Sequence, residues 1–180
     1  MISLHVILII FVILFGIIGS MRGWAKEVLV TFSIILSMFT LSILENFIPF
    51  FKETLATATP ATAFWIRAGI LSALVFFGYE TPKIPRLAES GRFIRNLLQD
   101  TLLGGFVGMV NGFLVIGSIW YFLHNAAYPF AFVSAPDPAT ANGLASLNLI
   151  QFLPPTWLMT TPTIYVAVAI CFVIVLVVFI

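Results

Sequence analysis

Five apolar segments alternate with more polar connections along the chain, at about residues 2–20, 28–44, 61–79, 102–123 and 163–180. A helix that crosses the hydrocarbon core of a bilayer needs about 20 apolar residues, and each run comes close to that length. Barrel strands would be shorter and would alternate in polarity. Residues 6–15 and 172–180 are apolar without alternation. The pattern therefore predicts an all-α, polytopic transmembrane bundle of about five spans, with each backbone polar group satisfied inside its own helix.

The connections differ in character. Residues 21–27 are short and basic, which predicts a hairpin between the first two helices. Residues 45–60 are moderately polar, with breaks at Pro49 and Pro60. Residues 80–101 carry an amphipathic pattern. Ile84, Leu87, Ala88, Gly91, Ile94, Leu97 and Leu98 share one helical face. Lys83, Arg86, Glu89, Arg92, Arg95 and Gln99 share the other, and Pro85 suits the first turn. This predicts an interfacial helix whose Lys83, Arg86, Arg92 and Arg95 meet anionic headgroups. The plainer reading is a connector lying along the membrane surface. Residues 125–162 are long, nearly uncharged and rich in Pro, Ala, Ser and Thr. No repeat and no linker to a second domain is visible, so residues 1–180 read as one membrane domain.

Composition makes lipid the solvent. Hydrophobic residues are 61% and charged residues 8% of the chain, and mean hydropathy is +1.14. Soluble domains are about 45–50% apolar and about 25% charged. The net charge of +1 names no partner, but its distribution orients the chain. Arg22, Lys26, Lys83, Arg86, Arg92 and Arg95 all fall in the first and third connections. The second connection holds only Lys52 and the fourth holds none. The positive-inside rule then puts connections one and three in the cytoplasm, the N-terminus outside and the C-terminus inside. No Lys or Arg precedes the first run, which reads as a retained span rather than a signal peptide.

Candidate chemistry is sparse. Gly104, Gly108 and Gly112 recur every four residues in the fourth run, and Gly19 and Gly23 give the end of the first a similar small face. Small faces let helix backbones approach closely in lipid. They serve packing within the chain, a homo-oligomer or a protein partner. Arg67, early in the third run, is placed to snorkel to the outer interface or to pair with a loop carboxylate. Asn111, in the middle of the fourth, suits a helix–helix hydrogen bond better than a transport path. No Asp or Glu falls deep within a run, so a proton relay is not expected. His5 and His124 are the only histidines, at helix ends. They are low-ranking candidates for a haem or pigment ligand, and no cofactor and no metal is expected. Cys171, alone in an apolar run, reads as a packing residue. A nucleophile elbow and a phosphate-binding glycine loop are both missing. The chain is not expected to be an enzyme or to bind nucleic acid.

Two motifs carry a resemblance. Gly19 is followed by Arg22-Gly23-Trp24-Ala25-Lys26-Glu27, and Asp100-Thr101 precedes Leu103-Gly104 and Gly108. With the basic amphipathic stretch before them, these resemble the colicin V production protein (CvpA) family of small bacterial membrane proteins. Thr101 stands where the family usually has a basic residue. The resemblance covers about residues 1–125, a four-span core, and leaves the 126–162 external loop and the 163–180 fifth span outside it. It implies a bacterial inner-membrane protein of non-enzymatic role in colicin V export or envelope homeostasis. Without the family, Gly23 permits a tight turn, Arg22 and Lys26 hold its tip in the cytoplasm, and Glu27 favours the start of the second helix. The alternatives are an accessory subunit of a respiratory or photosynthetic complex, or a small transporter or channel. The partners expected are membrane lipids, with a protein partner or a second copy meeting the glycine faces and the external loop.

Overall fold

The computed structural model describes residues 3–80 and 97–179. The described residues form helices joined by turns and short irregular segments, without strands. The chain is a multi-pass helical membrane protein. Helix α1 is Leu4–Arg22, α2 is Trp24–Phe47, α3 is Pro49–Thr57 and α4 is Pro60–Glu80. Then come α5, Leu97–Asn125; α6, Ala141–Ile150; α7, Pro154–Leu158; and α8, Thr163–Phe179. The amphipathic stretch with Lys83, Arg86, Arg92 and Arg95 lies outside the described residues.

Four helices, α1, α2, α4 and α5, are long and apolar enough to cross a membrane. The fifth expected span is more complicated. Helix α8 has 17 residues, a rise of about 26 Å that falls short of the usual core thickness of about 30 Å. It follows α6 and α7 at a bend of 70°, and this bent pair makes the count five if it is taken as one span. The observed helices also outrun the apolar segments. Polar residues such as Lys26, Glu45 and Asp100 continue the helices into their first and last turns.

The bundle has two unlike ends. At the hairpin end lie the α1–α2 turn, Glu80 and Asp100. At the capped end lie α3 and residues 126–162. Helix α2 is central and packs on α4, α5 and α8. Its Ile34, Met38 and Leu41 are fully buried, as is Leu71 of α4. Helix α1 lies mainly against α5, through glycines. Gly19 faces the Gly104 carbonyl and the Gly108 backbone, and Gly108 faces the carbonyl of Phe15. A Cβ at these positions would collide with backbone. The small faces therefore meet each other inside one chain, and this contact requires their lack of side chains.

Residues 126–162 are not simply a loop. They contain α6 and α7, with Leu153, Pro154, Pro155 and Leu158 buried. Pro154 packs on Gly117, and Leu153 joins Leu8 and Trp120 in a small core. Thr140 caps α6 through its hydroxyl, which accepts from the Gly143 N–H.

Candidate functional site at the hairpin end

The turn between α1 and α2 consists of one residue, Gly23, at φ +87°. That backbone region is open to glycine and costly for other residues. The Gly23 N–H still bonds back to the Gly19 carbonyl, closing α1. Helix α2 then begins at once, and its first N–H groups have no partner within their own helix. Glycine has no side chain with which to cap them. Asp100 does so from α5: its Oδ1 accepts from the Trp24 N–H at 3.1 Å. A carboxylate at this place also suits the positive end of the α2 dipole. Asp100 stands in the first turn of α5 as well, so one side chain serves two helix N-termini.

One turn into α2, Glu27 is completely buried. The second apolar run of the sequence starts at residue 28, just after it, so a carboxylate inside the bundle was not expected. The helix starts four residues earlier and turns Glu27 inward. Asn111, also fully buried, donates from Nδ2 to Glu27 Oε2 at 2.8 Å and to the Glu27 carbonyl at 3.0 Å. The Asn111 Oδ1 accepts from the Thr31 hydroxyl at 2.7 Å. The same hydroxyl lies 3.0 Å from the Glu27 carbonyl, so its one proton is shared between the two acceptors. Arg22 Nε lies 3.4 Å from Glu27 Oε1. That is an ion-pair distance without hydrogen-bond geometry, so Oε1 has no hydrogen-bond partner among the described residues. The guanidinium is held elsewhere too. It lies 4.2 Å above the Tyr79 ring, and its Nη2 donates to the Tyr79 carbonyl at 3.2 Å. Lys26, by contrast, is exposed.

A polar knot thus joins α1, α2, α4 and α5. The sequence singled out Arg22, Gly23, Glu27, Asp100 and Asn111 for three separate reasons, and the fold brings them to neighbouring positions. Thr31 and Tyr79 were missed. Thr31 stood four residues after Glu27, the spacing that shares a helix face. Tyr79 carried no signal, because its backbone carbonyl and ring face do the work. Chemically the knot holds a buried carboxyl group against a cation and two hydrogen-bonding side chains. Ionisable groups inside membranes are costly and face the bundle interior in pairs.

The other candidates lie elsewhere. Arg67 pairs with Glu45 through two bonds, Nε to Oε1 at 2.8 Å and Nη2 to Oε2 at 3.2 Å. Glu45 belongs to the last turn of α2 rather than to a loop. His5 shares a hydrogen bond with Ser146 at 2.9 Å, tying α1 to α6. His124 lies 3.3 Å from the Tyr128 hydroxyl, which also accepts from Trp120 Nε1. Cys171 is half-buried in α8. Among the described residues no three His, Cys, Asp or Glu side chains are grouped so as to hold a metal ion. Family models, curated proteins and solved structures were all compared with the chain, and none matches it.

Proposed function

We propose that this chain is a CvpA-like, non-enzymatic protein of the bacterial inner membrane, with its N-terminus outside, serving colicin-export or envelope processes. One observation carries the reading. The residues of the two resembling motifs, separated by more than seventy positions, meet at one turn, where Asp100 caps the helix that Gly23 starts. Within the first motif Arg22 pairs with Glu27, and Glu27 is held by Asn111. Motifs that build one structure together belong to one architecture, and this supports carrying the family's role along with its residues. The role is structural in kind: the knot fixes how four helices converge at the end that the loop charges place in the cytoplasm.

The test is removal and restoration in a bacterial host. Loss of the chain is expected to impair colicin V export or resistance of the envelope to detergent. The wild type restores it, and Glu27→Ala at equal membrane abundance does not. Normal export and a normal envelope after removal would overturn the reading. Purification in mild detergent addresses the accessory-subunit alternative. Stoichiometric respiratory or photosynthetic partners in the purified material would replace the CvpA-like reading with that one.

A further inference from the structure

Two independent observations bear on the depth of the capped end. The first is a ruler along α5. About 20 helical residues cross the hydrocarbon core of about 30 Å, so a core entered beside Asp100 is left near Trp120. Segment 126–162 packs at that level, with Leu153 on Trp120 and Pro154 on Gly117. It therefore does not stand clear of the membrane.

The second observation is a set of exposed aromatic side chains from α3, α4 and residues 126–162. Phe50 of α3 is 78% exposed, Trp65 of α4 61%, Phe132 79%, Phe152 62% and Trp157 of α7 47%. Two of them are connected through Phe130, which packs on Trp65 at 5.8 Å and stacks on Phe132 at 5.4 Å between centroids. Helix α3 buries none of its residues within the chain. Trp65 also heads a continuous exposed face of α4, followed by Gly69, Ala73 and Phe76 at helical spacing. In a spanning helix that face meets lipid, so the aromatic patch around Trp65 extends a lipid surface already required by the span.

We infer that the capped end is seated in the headgroup–acyl boundary of the bilayer, with α3 and residues 126–162 lying along it as an aromatic collar. Tryptophan collects at this depth, where an apolar body and a wet edge are both accommodated, and phenylalanine lines the buried face of segments that lie in the interface plane. Charge selects the kind of lipid. Residues 126–162 contain a single charged side chain, Asp137, and α3 contains one Lys52 and one Glu53. The collar thus fits zwitterionic phospholipid and has no basic patch for anionic lipid. A water-exposed protein surface would need far more charge than this. The collar stands independently of the proposed function.

Nitroxide labels on the full chain in phosphatidylcholine vesicles test it. Cysteines replace Phe50, Phe132 or Phe152 in a Cys171→Ala background, with Ile170→Cys as the lipid-facing control and Asp137→Cys as the water-facing control. At the three collar positions, oxygen is expected to collide more often than a water-soluble nickel chelate, with loss of chelate access relative to Asp137. Chelate access equal to that at Asp137 would overturn the collar. So would shielding from both reagents, which would mean a protein cover. Should a cysteine variant fail to insert, quenching of the native Trp157 and Trp65 by lipids brominated near the headgroup replaces it. No greater quenching in these lipids than in lipids brominated at the chain ends would overturn the collar.

Discussion

Asn111 binds both the side chain and the backbone of Glu27, with one Nδ2 group 2.8 Å from Oε2 and 3.0 Å from the carbonyl. Both residues are fully buried. Removing one partner of a buried polar pair leaves the other without compensation, which costs about 1–3 kcal/mol, and more where a charge is involved. Asn111→Leu is therefore expected to destabilise the chain by about 2 kcal/mol or more. Glu27→Gln combined with Asn111→Leu should lose less than the sum of the singles. Unfolding in mixed micelles, run as a double-mutant cycle, measures the difference. Simple additivity would show that the two residues are not coupled.

Glycines at two positions should respond in opposite ways. At Gly19 a Cβ would strike the Gly104 carbonyl, and backbone cannot move aside as a flexible side chain can. At Gly69 a Cβ would meet nothing within 4 Å. Gly19→Ala is expected to separate α1 from α5 and to lower the melting temperature in detergent. Gly69→Ala gains helix propensity, about 1 kcal/mol in soluble helices, and should be neutral or stabilising. Equal behaviour of the two variants would contradict the close α1–α5 packing.

The helices themselves were legible in the sequence, because lipid requires long apolar runs and these stand out in any window. The glycine face was legible as a face, though its partner was not. Spacing shows that Gly104, Gly108 and Gly112 align but not which helix approaches them. The knot was only half legible. Glu27 stood at the edge of an apolar run, and one turn of extra helix decides whether such a residue faces water or the core. Hydropathy has no resolution at that scale. Segment 126–162 was the least legible part. Its lack of charge distinguished it from a water-exposed loop, yet the docking of Pro154 on Gly117 depends on long-range packing that no local pattern records.

The turn at Gly23 joins two constraints that can be tested apart. Its φ of +87° disfavours any side chain, and a Cβ there would also crowd the Asp100 carboxylate. Asp100→Ala removes the cap on Trp24 while leaving the backbone free to turn. Loss of a helix cap costs about 0.5–2 kcal/mol. Asp100→Asn keeps an acceptor and should lose less. Gly23→Ala should lose more than Asp100→Ala, because it adds strain to the displaced cap. The order of the three variants in thermal unfolding checks this, and Asp100→Asn falling below Asp100→Ala would remove the capping role.

Tyr128, just past the end of α5, gives a pH dependence with a definite sign. Burial pushes its phenol up, and the bond from Trp120 offsets part of that effect. The folded chain therefore holds the phenol neutral at a pH where the unfolded chain ionises it, from about pH 10. The stabilising difference is intact below about pH 10 and falls as pH rises through the folded value. Phenolate absorbance should show Tyr128 ionising later than an exposed tyrosine until the chain unfolds. Tyr128→Phe should reduce the late component by one tyrosine. A late component undiminished in the variant would assign it to other tyrosines.

The Arg67–Glu45 pair separates charge from geometry. Its two bonds have the forked form that guanidinium makes with carboxylate, at the end of α2 where α4 passes. The side chains are 22% and 27% exposed, so solvent weakens the pair without removing it. Hydrogen bonds to charged groups contribute about 1.5–3 kcal/mol, and partial exposure brings the expected loss in Arg67→Leu to about 1–2 kcal/mol. Arg67→Lys keeps the charge but not the fork and should fall between wild type and Arg67→Leu. Exchange of the two residues, Glu45→Arg with Arg67→Glu, restores opposite charges across the same contact. It should recover part of the loss that Glu45→Arg alone produces by placing two cations together. Unfolding in detergent gives the four stabilities. An exchange variant no more stable than Glu45→Arg would mean that the helices are held at this point by packing, not by the ion pair.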